Sequence, residues 1–229
     1  MKIDLLAPEV RANPYPVYEY LRREKPAAEV AEGMWALSRA EDIVAALKDT
    51  KTFSNAGFRA TVAPDWMDDN LVSETLFLMD PPQHGKYRQV LGRAFGKKLT
   101  TRMADAASRS AEQVCSTLPV GRPFDFVAEF SQAYVSRVMA ELLDLDDTVR
   151  AKLHDYTVAQ VLITPARLEP ERELWVKQQV LEMQDHLASA LAEQRRKRSN
   201  PLLVEIIDAR IDGEPLSDDE IVGFLALLV

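Results

Sequence analysis

Two side chains four residues apart, His84 and Arg88, have the types and the spacing to bind an anion. Residues separated by four positions share one face of an α-helix. An imidazole and a guanidinium on one face offer hydrogen-bond donors and a fixed positive charge, which suits a carboxylate or a phosphate. The pair therefore predicts an anion site. The alternative interpretation is an ordinary solvated helix face, because short motifs also occur by chance.

The residues before this pair predict the helix that must carry it. Asp80 is a favourable N-cap residue, and Pro81 and Pro82 suit the first turn, where no intrahelical N–H is needed. We therefore expect a helix over residues 81–95. Such a helix would present His84 and Arg88 together.

Hydrophobic periodicity predicts that most of the chain is helical. Apolar residues recur at helical spacing, and a short hairpin is expected around Gly33, between residues 28–30 and 34–38. The predicted helices cover residues 16–24, 39–48, 100–118, 127–143, 148–163, 171–198 and 201–210. The stretch 221–229 is apolar nearly all round, which is typical of a buried helix. The predicted fold class is mainly α with a small β-sheet.

Composition narrows the environment and the partners. The 229 residues are 47% hydrophobic, and the formal net charge of −8 argues against a nucleic-acid partner. No apolar run approaches the roughly 20 residues of a membrane span, and residues 1–11 lack a signal-peptide core. A single cysteine excludes an internal disulfide and suits a reducing compartment. We expect a cytoplasmic protein without a membrane anchor.

Other residues that could do chemistry are expected to be structural. Cys115 is the only cysteine, and we predict that it is buried on the apolar side of its helix rather than a thiolate ligand. His154 and His186 are expected at the surface, without a second ligand at metal spacing. No zinc motif, Ser-His-Asp arrangement, phosphate-binding glycine loop or dinucleotide fingerprint is recognisable, so no catalytic residue is assigned.

The pattern Asp80-Pro81-Pro82-x-His84-x-x-x-Arg88 resembles the C-helix motif of bacterial cytochromes P450. Further segments are similar to that family's helix A, first strand and helix B, the segment after helix B, the beginning of helix E and the opening of helix I. They are residues 13–22, 35–43, 52–55, 124–127 and 212–222. The segments follow the family order. The resemblance implies the N-terminal portion of the P450 fold, helices A to the start of I, with residues 1–229 forming one partial domain.

The resemblance also implies a function. In the family, the residues that match His84 and Arg88 bind the propionates of haem b, and a cysteine thiolate binds the iron. The cysteine loop, the Glu-x-x-Arg pair and the oxygen-activating Ala-Gly-x-x-Thr are absent from this sequence. We therefore expect an N-terminal fragment of a haem-thiolate monooxygenase, inactive alone, because the haem thiolate ligand is missing from this chain. The alternative is a non-catalytic, P450-derived helical binding or interaction module.

Substrate and partner contacts follow from the same resemblance. The irregular segment 56–77 corresponds to the family's B–C loop, which roofs the substrate pocket. Its apolar side chains suggest a small, largely apolar organic substrate. The expected substrate contacts are Phe58, Trp66, Met67, Ala226 and Val229.

A basic cluster, formed by Arg93, Lys97, Lys98 and Arg102, is a candidate docking site for a ferredoxin- or flavodoxin-type redox partner. A solvated charged face is the alternative interpretation of this cluster.

Overall fold

The computed structural model describes residues 3–5, 7–55, 57, 66, 75–163 and 168–229, without the side chains of Lys97 and Lys98. Contacts divide the chain into two compact units, Met1–Ser54 and Asn55–Val229. Helices dominate the described residues, whose strands form two short antiparallel hairpins. The predicted fold class, mainly α with a small β content, is confirmed.

The first unit combines short helices with one hairpin. Its elements are α1 (Pro8–Ala12), α2 (Tyr15–Glu24), β1 (Ala27–Ala31), β2 (Met34–Leu37) and α3 (Ala40–Lys48). Gly33 turns the hairpin at a φ of 72°, a left-handed conformation that glycine adopts without strain. Ile3, Leu21 and Ala28 form a small buried cluster. The hairpin and both longer helices lie within a few residues of the predicted segments.

The second unit is a helical bundle. After a 3₁₀ turn (Leu76–Leu78) come α4 (Gln83–Ala94), α5 (Lys97–Thr117), a π-helical segment (Val127–Gln132), α6 (Ala133–Leu143), α7 (Asp147–Leu162), α8 (Pro170–Lys197), α9 (Pro201–Ile207), the hairpin β3 (Arg210–Ile211) and β4 (Glu214–Pro215), and α10 (Asp218–Leu228). One large apolar cluster joins α4 to α10, and a smaller one joins α7 to α8.

The helix termini explain where several elements begin. α10 begins with a capping box, in which the Ser217 hydroxyl accepts from the Glu220 N–H and the Glu220 carboxylate accepts from the Ser217 N–H. Asp146 caps α7 by accepting from the N–H of Val149 at 2.9 Å. These caps fix the positions at which α7 and α10 begin.

The start of α4 differs from the prediction. Asp80 does not cap the helix, because its carboxylate accepts a hydrogen bond from the backbone N–H of Asn55 at 2.9 Å. The helix begins at Gln83, with Pro82 in the N-cap position, and ends at Ala94. A backbone N–H from a distant part of the chain thus engages the carboxylate that the sequence assigned to the cap.

The packing of α5 also corrects a prediction. Cys115 is exposed, not buried, and the neighbouring Val114 is buried instead. The buried positions Ala106, Ser110 and Val114 recur every four residues and form one stripe. Cys115 lies about 100° around the helix from Val114, which turns its thiol to solvent.

No helix in the described part of the chain is long and apolar enough to cross a membrane.

A fully buried asparagine ties three helices together. The Asn200 side-chain oxygen accepts from the N–H groups of Leu202 at 3.0 Å and Leu203 at 3.3 Å, which caps α9. Its side-chain amide donates to the carbonyl of Leu142 at 2.8 Å, at the end of α6. Its backbone N–H donates to the Gln194 side chain of α8 at 2.9 Å. Buried polar groups of this kind are costly when left unpaired.

Replacing Asn200 with Ala should destabilise the protein by about 2–4 kcal/mol, because the change removes a helix cap and leaves a buried carbonyl without a donor. The measurement is the free energy of unfolding in urea. The matched control is Asn13→Ala at an exposed site, expected to change stability by less than about 0.5 kcal/mol. Equal losses in the two variants would contradict this role of Asn200.

Candidate functional site

The rotation of α4 decides where His84 and Arg88 lie. One side of this helix is buried, formed by Tyr87, Val90, Leu91 and Ala94. His84 lies at the margin of that side and is half-buried, whereas Arg88 is exposed. The two residues are about 40° apart around the helix axis. The predicted placement on one side of one helix is therefore present.

Three contacts hold α4 in this rotation. The ring of Tyr87 packs edge-on against Phe224 of α10, with 5.6 Å between the ring centroids. The Tyr87 hydroxyl also donates a hydrogen bond to Glu220, one of the two residues of the α10 capping box. At the preceding position of α4, Lys86 forms an ion pair with Asp212 of the β3–β4 turn. Of the three contacts, the directional hydrogen bond of Tyr87 restricts the rotation of α4 most.

The side chains of His84 and Arg88 are not engaged by other described residues. No hydrogen bond or ion pair joins either side chain to another described residue. Gly85 and Gly92 lie beside Arg88 on the helix surface, and a Cβ at either position would meet nothing within 4 Å. The nearest acidic residue in sequence, Asp80, is engaged by Asn55. The result is an open, positively charged helix flank that can accept an anionic ligand.

The donor set fits a carboxylate-bearing cofactor. Histidine and arginine side chains supply directional N–H donors, and the glycine positions leave room for a flat molecule to approach the helix. In the described residues, no group of three or more His, Cys, Asp or Glu side chains could hold a metal ion directly. The donors of His84 and Arg88 suit the acidic groups of such a cofactor.

The other predicted contact residues are scattered. Trp66 is half-buried and packs against the apolar cluster formed by Leu78, Ala159, Val176 and Val180. Ala226 is buried in the main core, and the partly buried Val229 packs against that core. Phe58 and Met67 lie outside the described residues, as does most of the loop 56–77. The pocket roles of these five residues stay predictions.

The basic cluster divides into two kinds of residue. Arg93 is exposed at the end of α4. Arg102, in contrast, reaches into the bundle, where its guanidinium lies 3.4 Å from the Asn200 oxygen and 3.5 Å from both the Glu141 carbonyl and the Asp144 carboxylate. Arg102 therefore has a structural role that sequence reasoning missed. The side chains of Lys97 and Lys98 are outside the described part.

His186 is not the surface residue that the sequence suggested. Its ring is half-buried, and its Nδ1 lies 2.8 Å from the hydroxyl of Tyr156, so α8 and α7 share a hydrogen bond. Burial raises the pKa of Tyr156 to about 12, and the charges of Glu182 and Asp155 add to the shift. Lys152 and Glu182 pair beside this contact. No local signal in the sequence could have found a bond between these helices. His154 is exposed, as predicted.

Comparisons with known proteins identify what the chain is similar to. No protein-family model matches the chain. It is 30% identical over 205 residues to cyclomarin C epoxidase CymV of Salinispora arenicola, covering 88% of this chain and 51% of that protein. It is 26% identical over 232 residues to vitamin D(3) 25-hydroxylase of Pseudonocardia autotrophica, covering 99% and 55%. The solved structure of cytochrome P450 CYP109Q5 from Chondromyces apiculatus matches with a TM-score of 0.80 at 26% identity, covering 99% and 56%.

These matches confirm the resemblance inferred from the motifs. The chain is similar in sequence to bacterial members of the cytochrome P450 family, and it has their fold over nearly its whole length. It spans about half the length of the curated relatives it matches.

Stability should fall as the pH rises from about 10 to 12. Because the pKa of Tyr156 is raised to about 12 in the folded protein, the unfolded chain loses this proton first and unfolding is favoured over that interval. The expected contribution is about 2–3 kcal/mol. Tyr156→Phe should flatten the pH dependence of unfolding free energy above pH 10. Tyr18→Phe, at an exposed tyrosine, should leave it unchanged, and the account fails if both variants behave alike.

Arg102→Gln should lower the free energy of unfolding by about 1 kcal/mol, because half-exposed, long charge contacts of this kind contribute little more. Arg93→Gln is the matched control, since it removes the same charge from an exposed site. Urea denaturation of both variants checks the difference. A loss confined to Arg93→Gln would contradict the structural role of Arg102.

Proposed function

We propose that His84 and Arg88 hold the propionate carboxylates of a haem b. The observation that carries this proposal is the flank of α4, where both side chains lie side by side with no partner among the described residues. Each would donate charge-assisted hydrogen bonds to a carboxylate. The packing of Tyr87 against α10 would keep the two donors in place before the cofactor arrives. Preorganised donors lower the cost of binding.

The proposed activity of the whole protein is that of a monooxygenase. A bound haem would supply reductive activation of dioxygen, with one oxygen atom inserted into an organic substrate and the other released as water. Two relatives support this reaction class through their names, one an epoxidase and the other a 25-hydroxylase. The contribution of this chain is to bind and orient the cofactor, and to supply part of the wall that excludes water from it.

The proposed substrate is a small, largely apolar organic molecule. Trp66 supports this proposal, because it packs against the apolar cluster of Leu78, Ala159, Val176 and Val180. Phe58, Met67, Ala226 and Val229 are proposed as further contacts on the strength of the family resemblance alone.

The proposed electron donor is a ferredoxin- or flavodoxin-type protein with an acidic surface. Arg93 supports it as an exposed cation at the end of α4. Lys97 and Lys98 follow on α5 and remain candidates, whereas the internal contacts of Arg102 make it a poor candidate for docking. Exposed charges of this kind affect the rate of association more than the affinity.

The iron's thiolate ligand is proposed to come from outside these 229 residues. Cys115 is the only cysteine, and its exposed position on α5 provides neither the burial nor the second shell that tunes a haem-thiolate centre. We therefore propose that this chain alone does not turn over substrate.

The double variant His84→Ala/Arg88→Ala should bind haem much more weakly than the unaltered chain. Each lost contact is worth about 1.5–3 kcal/mol, so the dissociation constant should rise roughly 100-fold or more. The measurement is a spectrophotometric haem titration of the purified chain.

The matched control for this double variant is Gln83→Ala/Gln89→Ala, which changes two exposed side chains on the same helix. Its haem affinity should stay within about twofold of the unaltered chain. Equal haem affinity in all three proteins would overturn the propionate role. That outcome would favour the alternative, a P450-derived helical module that does not use the haem.

A further inference from the structure

Trp66 carries a buried donor without an acceptor. Its indole Nε1 is shielded from solvent and has no hydrogen-bond partner, the one buried side-chain nitrogen or oxygen of the described residues in this condition. Buried polar groups are normally paired, since an unmet hydrogen bond destabilises the fold. An unpaired indole N–H in apolar surroundings is thus suited to a ligand that supplies an acceptor.

A lysine without an acidic partner lies over the same ring. The Nζ of Lys177 is 5.9 Å from the centroid of the Trp66 ring, at the outer range of a cation–π contact. Glu173 stands four residues earlier on α8, a spacing that usually favours a Glu–Lys pair. Among the ion pairs of the described residues, however, none includes Lys177. Lys177 is half-buried, and its ammonium group is therefore available to an anionic ligand.

The surroundings of this pair are apolar. Trp66 packs against Leu78, Ala159, Val176 and Val180. Leu162, Ile163 and Leu168 border the same cluster. A ligand whose acceptor reached Trp66 and Lys177 would thus place the rest of its body against hydrocarbon. Polar groups in a mostly apolar site fix the orientation of the ligand more than its total affinity.

We propose that Trp66 and Lys177 form a carboxylate-recognition subsite, and that the natural ligand is an apolar organic acid. The indole N–H donates a hydrogen bond to one carboxylate oxygen, and the ammonium of Lys177 contributes the opposite charge. That this ligand is the oxidised substrate rests on the proposed function. The recognition of a carboxylate by these two residues does not depend on haem.

The test is calorimetric titration of the purified chain with decanoate and with decanamide. The two ligands share one hydrocarbon chain, and only decanoate is charged. Decanoate should bind about tenfold more tightly than decanamide, a difference expected for one charge-assisted contact. Lys177→Met should abolish this preference and leave decanamide affinity unchanged. Trp66→Phe, which keeps the ring and removes the N–H, should weaken both ligands by roughly fivefold to tenfold.

Two control variants separate the subsite from general effects. Trp35→Phe alters an exposed tryptophan of the first unit, and Lys197→Met removes a lysine near the other end of α8. Both should bind decanoate like the unaltered chain. The proposal is overturned if neither ligand binds, if decanoate and decanamide bind equally, if Lys177→Met retains the full preference, or if Trp66→Phe leaves both affinities unchanged.

The outcome is separable from that of the haem titration. One possible outcome is that decanoate binds selectively while the His84→Ala/Arg88→Ala variant keeps its haem affinity. That outcome would support the subsite and contradict the proposed function. The reverse pattern would support haem binding and remove the subsite.

Discussion

The candidate site depends on how α4 packs against α10. Tyr87 makes two different contacts there, since its ring meets Phe224 and its hydroxyl meets the carboxylate of Glu220. Glu220 is also part of the box that caps α10, so the start of one helix and the rotation of the other are set by one carboxylate. Packing alone would tolerate some rotation of α4, but a directional hydrogen bond does not. His84 and Arg88 are turned outward because Tyr87 is turned inward.

The cationic residues of the chain consequently have different roles. Lys86 and Arg102 are engaged within the second unit, by Asp212 and by the Asn200–Asp144 region respectively. Their contacts hold helices together. Arg88 and Lys177 have no such partner among the described residues. Arg88 lies beside two glycines that leave room for a ligand, and Lys177 lies over the ring of Trp66. We therefore locate ligand recognition at cations that the fold does not use, rather than at the densest cluster of positive charge.

The features that depend on local sequence patterns could be predicted from the sequence. Helical periodicity located nearly every helix within a few residues, and the four-residue spacing correctly put His84 and Arg88 on one side of α4. The order of the motifs was enough to recognise the family. These features could be predicted because they depend on neighbours within one or two turns.

The features that were wrong or missed depend on distant contacts. Asp80 is a good cap by type, but Asn55 from a distant segment engages its carboxylate. Cys115 and Val114 are equally plausible core residues by pattern, and the packing of α5 selected Val114. The bond between Tyr156 and His186 needs two helices to meet, and so do the contacts of Arg102 with Asn200 and Asp144. No single-sequence pattern records which helices are neighbours.

The central claim is that the α4 flank recognises the carboxylates of the cofactor rather than its hydrophobic ring. The most direct measurement compares the affinity of the purified chain for haem and for haem dimethyl ester, in which both propionates are blocked but the ring is unchanged. The account predicts that the ester binds roughly 100-fold more weakly, because two charge-assisted contacts to His84 and Arg88 are lost. Equal affinity for haem and its dimethyl ester would contradict it.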